Sequence, residues 1–174
     1  MSLTALCFGA TLVVTLISAY TDLRYGKVYN LVTMPALALG LGANALGSGW
    51  HGLLLSLAGV GVALALWLLS LACGGCMGGG DIKLLGAVGA LCGPHFLVAA
   101  FVMAIFLGGI FAIGLALRHR CLGSVLSRLY TWIVCKLGFG CSTQLSPDRT
   151  LRVPYALPIA LGVVICLLKA SPLV

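Results

Sequence analysis

Glutamate is absent from this chain of 174 residues, and aspartate occurs only three times, at Asp22, Asp81 and Asp148. Charged residues make up 7% of the sequence, against about 25% in soluble domains, and 61% is hydrophobic. So little charge cannot cover a water-soluble fold, and the chain reads as an integral membrane protein. Its apolar runs are continuous and do not alternate, which excludes a transmembrane barrel. No Lys or Arg precedes the first apolar stretch, so the basic n-region of a cleaved signal peptide is missing and the stretch reads as a retained first helix.

A hydrocarbon core about 30 Å thick takes about 20 apolar residues per helix. The runs divide into spans at Leu3 to Tyr20, Leu31 to Leu46, Leu53 to Cys73, Ile82 to Gly93, Phe96 to Leu117 and Val153 to Leu168. The expected fold is all-α: a polytopic membrane protein with about six transmembrane helices, forming a single domain over residues 1–174. The fourth span holds few clearly apolar residues. It spans with help from its flanks, sits in protein rather than lipid, or merges with the fifth through Gly93, Pro94 and His95.

With these spans, the loops after spans one, three and five carry Arg24, Lys27, Lys83, Arg118, Arg120, Arg128, Lys136, Arg149 and Arg152, while the opposite side carries only Lys169. The positive-inside rule makes the basic side cytoplasmic and places both termini outside. Topology and attraction to anionic lipid account for the net charge of +7, and nucleic acid needs no part in it. The long connection of residues 118–152 is expected to contain an amphipathic helix in the cytoplasmic interface, because Leu122, Val125, Leu126, Leu129 and Ile133 recur at helical spacing opposite Ser124, Ser127, Arg128 and Thr131.

Eight cysteines do not read as a disulfide framework, since Cys73, Cys76, Cys121, Cys135 and Cys141 map to the reducing side. Cys73 and Cys76 have metal-ligand spacing, but one Cys-x-x-Cys without a partner pair is a weak signal, and no metal is expected.

Asp22 and Asp81 fall at the same depth on the same face. Singly, Asp22 also reads as a solvated loop residue beside Arg24, and Asp81 as a helix N-cap. Together they point to chemistry, because an acid beside a membrane span carries a cost of several kcal/mol, roughly 2.5 to 3.5 on insertion scales. Two adjacent carboxyls share a proton, so one can draw a proton from water while the other donates to a peptide carbonyl. Gly78, Gly79 and Gly80 leave the backbone before Asp81 bare for the approach of an extended strand, although glycine triplets also make plain turns.

Three patches carry a family resemblance: Asp22-Leu-Arg-Tyr-Gly-Lys-Val-Tyr-Asn30, then Gly78-Gly-Gly-Asp-Ile-Lys-Leu-Leu-Gly-Ala-Val-Gly-Ala-Leu-Cys-Gly93, and Arg152-Val-Pro-Tyr-Ala-Leu-Pro158. They resemble the GxGD-type membrane aspartic proteases, in particular the prepilin peptidases. The resemblance implies that Asp22 and Asp81 form a catalytic dyad that cuts a basic leader from a prepilin at the cytoplasmic face of a bacterial inner membrane. It implies that Lys83 holds charge near the dyad or meets substrate, and that Arg24 and Asn30 orient the first acid or its loop; both basic residues also read as topology signals. Tyr29 stands where the family commonly has proline.

Larger members of the family carry a cytoplasmic segment with paired Cys-x-x-Cys motifs that is linked to methyl transfer. The connection from Thr21 to Asn30 is too short for one. Peptidase activity without a cofactor is therefore expected, with no S-adenosylmethionine, in the compact form similar to peptidases of tight-adherence (Flp) pilus systems; the pilus assembly machinery is a further expected partner. Other classes stay open on the residues alone: a small proton-coupled transporter or channel using the two acids, a non-catalytic assembly scaffold, and an archaeal preflagellin or presenilin-like protease.

Overall fold

The computed structural model describes residues 3–72, 78–118 and 155–170. Four helices account for nearly all of them: α1 (Leu3–Tyr25), α2 (Asn30–Ala72), α3 (Gly79–Arg118) and α4 (Ala156–Ala170). No strand occurs among the described residues. By length and composition, three helical stretches can cross a bilayer, Leu3–Tyr25, Asn30–Ala72 and Gly79–Gly114, while α4 is a shorter apolar helix. The chain clusters into two compact units, Met1–Leu107 with Pro154–Val174, and Gly108–Val153. The expected interfacial helix, the five cysteines expected on the cytoplasmic side and Asp148 lie outside the described residues.

Helix α2 has 43 residues, about 65 Å of helix if it ran straight, and it does not. Gly49 takes φ 59° and ψ −139°, and across it Asn44 Nδ2 donates to Ser56 Oγ at 2.9 Å. Twelve residues of straight helix would separate those two by about 18 Å, so the chain folds back at Gly49. Helix α3 breaks likewise at Gly93 (φ 83°, ψ 175°), followed by Pro94. The breaks fall between the second and third and between the fourth and fifth expected spans.

The break in α3 has a chemical consequence that the rest of the fold answers. Pro94 has no N–H, so the carbonyl of Ala90, which that N–H would have met, is orphaned inside an apolar bundle. Asn44 Nδ2 donates to Ala90 O at 2.9 Å and to Leu91 O at 3.3 Å, and Ser56 Oγ donates to Ala90 O at 2.8 Å. Both arms of α2 thus cap the first arm of α3 from outside.

That first arm is the core. Every residue from Leu84 to Leu91 is buried, so the helix presents no face to lipid. The fourth span therefore sits in protein, the second of the three readings its short apolar length allowed. Close approach is achieved by glycine. A Cβ on Gly40 would come within 2.7 Å of the Ala90 backbone, one on Gly59 would overlap the Gly89 carbonyl, and one on Gly162 of α4 would lie 2.7 Å from Ala100 O.

Helix α1 is inverted relative to a helix in water. Its buried residues include Cys7, Thr11, Thr15 and Ser18, while Leu6, Val13, Leu16 and Ile17 are exposed. Thr11 and Thr15 satisfy their hydroxyls on carbonyls four residues back, at 2.7 and 2.8 Å. Large apolar side chains outside and small polar ones inside are the arrangement expected of a helix solvated by lipid.

Candidate active site

Asp22 lies inside α1, in its last turn. The expectation that the first helix ends at Tyr20 and leaves Asp22 on a loop is corrected here: apolar character stops at that point, but the helix continues to Tyr25. Gly26 terminates it with φ 61°, and its N–H bonds to Asp22 O at 2.8 Å, the single bond of a left-handed C-cap.

The side chain of Asp22 reaches across the fold. Its Oδ2 accepts a hydrogen bond from the N–H of Ala156, the first residue of α4, at 3.1 Å. Helix α4 has no Ser, Thr, Asp or Asn directly before it, so its opening amides lack a local cap. A carboxylate there also meets the positive end of the α4 dipole. This partner was absent from the sequence reading, although the missing cap before Ala156 was a signal that an outside acceptor is required.

Asp81 is buried, 8% exposed, in the first turn of α3. It is not the N-cap, because α3 begins at Gly79 and the N–H groups of Asp81 and Ile82 meet Gly78 O at 3.1 and 3.4 Å. The three preceding glycines are not equivalent. A Cβ on Gly78 would lie 3.1 Å from Asp81 Oδ2, and one on Gly80 would lie 2.9 Å from Val28 Cβ, whereas one on Gly79 would meet nothing within 4 Å. The carboxylate therefore folds back over Gly78, and the α1–α2 connection rests on Gly80.

A second tie joins the same elements: Lys83 Nζ donates to Asn30 Oδ1 at 2.8 Å, linking the start of α2 to the start of α3. Arg24 is not part of that arrangement. It donates from Nη1 to Tyr20 Oη at 2.9 Å and lies over the Tyr25 ring at 5.9 Å from its centroid.

Beneath the acids, one apolar cluster ties these pieces together. Leu84 and Leu85 follow Asp81 on α3, Ala156 and Ile159 open α4, and Val28 from the α1–α2 connection packs against the same cluster. Asp22 bonds to a member of it, and Asp81 precedes two others. Among the described residues no group of three or more His, Cys, Asp or Glu is arranged to hold a metal ion. Two carboxyls on packed helix ends, one next to a bare glycine backbone, can carry out acid–base chemistry on an extended peptide.

No match was found among curated proteins or solved structures. The model of the type IV leader peptidase family matches residues 9–113, more than half of the chain and a stretch that includes both acids, the glycine turn, Lys83 and Asn30. With an all-helical, apolar architecture to go with that match, the chain belongs to the type IV leader peptidase family.

Proposed function

We propose that the protein is an aspartic endopeptidase that removes the basic leader of type IV or Flp-type prepilins, with Asp22 and Asp81 as its dyad. The observation that carries this reading is the placement of the two acids. Each stands at the end of a helix: Asp22 bonds to Ala156, a member of the apolar cluster that Leu84 and Leu85, just after Asp81 and its glycine turn, also join.

In this reading one carboxylate removes a proton from water as the water oxygen attacks the scissile carbonyl carbon, and the other, protonated, donates to the carbonyl oxygen. The tetrahedral gem-diol then collapses: the carboxyl that took the proton of water gives it to the leaving amine, the C–N bond breaks, and the other carboxylate takes a proton from the gem-diol hydroxyl that becomes the new carbonyl, so the pair again holds one proton. The Ala156 amide fixes Oδ2 of Asp22, leaving Oδ1 for the proton transfer. The bare backbone at Gly78, beside the Asp81 carboxylate, leaves room for the substrate strand, and Lys83 with Asn30 positions the connection over Gly80.

The six arms of the four helices each cross the bilayer, with both acids at the cytoplasmic face of an inner membrane, both termini outside and the whole chain acting as one peptidase domain. No methyl transfer belongs to this activity. The transporter reading is less well supported, since Asn44 and Ser56 are engaged by the Ala90 carbonyl and the hydroxyls of Thr11 and Thr15 by their own helix. An archaeal preflagellin or presenilin-like substrate would use the same dyad.

Co-expression with candidate prepilins in membranes, read as leader loss by gel shift, tests this. Wild type is expected to process one of them, and Asp22→Asn and Asp81→Asn to process none. Normal processing by either variant would remove that acid from the mechanism.

A further inference from the structure

The last turn of α1 has two sides. Residues two apart on a helix point about 200° from each other, so Asp22 and Arg24 diverge, while Tyr20 and Arg24, four apart, share a face. Asp22 turns inward to Ala156, and Arg24 turns outward. On that outer side Tyr20, Arg24, Tyr25 and Tyr29 are all exposed and form one connected group. Arg24 donates to Tyr20 Oη, its guanidinium lies over Tyr25, and Tyr25 meets Tyr29 edge to face at 6.3 Å between centroids.

The group stands where the apolar run of α1 ends, the depth at which aromatic rings and basic residues meet headgroups. Its chemistry is that of a phosphate site. Arg24 spends one N–H on Tyr20 and keeps the rest of its planar fork, which matches phosphate oxygens. Tyr20 accepts from Arg24, so its own O–H proton is directed elsewhere and is a second donor. The Tyr25 ring flanks the guanidinium on one side, at 5.9 Å from its centroid.

We infer that Tyr20, Arg24 and Tyr25 form a binding site for the phosphate of a phospholipid headgroup, selective for anionic lipid. Seated there, a headgroup holds the last turn of α1 at a fixed depth and with it Asp22 on the opposite side of the same turn. The inference requires only that α1 is embedded in a membrane, whatever reaction the acids perform.

The test is a titration of the purified protein in neutral detergent micelles with phosphatidylglycerol, and in parallel with phosphatidylcholine, following Tm without substrate. Phosphatidylglycerol is expected to raise Tm at lower mole fraction than phosphatidylcholine. Arg24→Gln is expected to weaken the half-saturation point about fivefold, the equivalent of about 1 kcal/mol for one basic residue near an anionic surface. Arg24→Lys, which keeps the charge and loses the fork, and Tyr20→Phe should each lose part of it.

Lys27→Gln removes the same charge from the adjacent connection and should leave the response near wild type. An equal loss in Lys27→Gln would mean diffuse charge attraction and overturn the site. A wild-type lipid response in Arg24→Gln would also overturn it, and if that variant instead raised KM for a peptide substrate, Arg24 would belong to substrate binding.

Discussion

Asp22 Oδ2 and the backbone N–H of Ala156 meet at 3.1 Å across 134 residues of sequence, joining the last turn of α1 to the first turn of α4. The acid at the centre of the proposed chemistry is thereby also a structural cap, and its two roles separate by substitution.

Asp22→Asn keeps a side-chain oxygen as acceptor, while Asp22→Ala removes it. Both are expected to abolish leader cleavage. Only Asp22→Ala should lower thermal stability, by about 1 kcal/mol, the usual cost of a lost helix cap. Melting curves of the two variants beside their cleavage assays distinguish the roles; equal stability would mean that the Ala156 bond contributes nothing.

The glycine turn should respond unevenly. Gly79→Ala places its methyl in open space and is expected to retain most activity, whereas Gly78→Ala pushes on the Asp81 carboxylate and Gly80→Ala on Val28. Those two should lose cleavage by about tenfold or more, the scale of a barrier change of about 1.4 kcal/mol. Initial rates on one prepilin would rank the three, and a damaging Gly79→Ala would contradict the geometry.

Lys83 and Asn30 are exposed, so the bond between them should add less than about 1 kcal/mol to stability. Its expected effect is on rate. Lys83→Met and Asn30→Ala should each reduce cleavage, and the double variant should be no slower than the worse single one, as a double-mutant cycle for a shared contact requires. Additive losses would show that the two residues act separately.

Asn44→Leu leaves the Leu91 carbonyl without its side-chain donor and Ala90 with Ser56 alone. A loss of about 1–3 kcal/mol is expected, the cost of an unsatisfied buried polar group, visible as a lower Tm in detergent. A neutral result would mean that those carbonyls find another donor.

Two glycines two residues apart on α2, and so on opposite faces of it, make a matched pair. Gly59→Ala drives a methyl into the Gly89 carbonyl and should destabilise by about 1–3 kcal/mol, as overpacking does. Gly61→Ala meets nothing and should be neutral or stabilise by up to about 1 kcal/mol. Thermal unfolding of both in one detergent decides.

Much of this site was legible before the fold. Asp22 and Asp81 stood out because the chain spends almost no acid elsewhere, and the glycine turn stood next to one of them. The positions of the helix breaks followed from where apolar runs met Gly and Pro. The end of α1 was misplaced because hydropathy reports where a helix leaves lipid, whereas its termination depends on a cap, here Gly26. Arg24, expected to orient Asp22 or its loop, shares its turn but bonds to Tyr20 on the other side, because positions two apart on a helix face opposite ways.

By itself the sequence determined that this is a helical membrane protein of the leader peptidase type, because composition and short motifs are local properties that need no partner to be read. Only the tertiary structure decided that Asp22 caps α4, that Gly78 and Gly80 are constrained while Gly79 is not, and that Asn44 and Ser56 serve the carbonyls freed at Pro94. Each of those is a contact between residues far apart in the chain, set by how helices pack in three dimensions, and no local pattern encodes it.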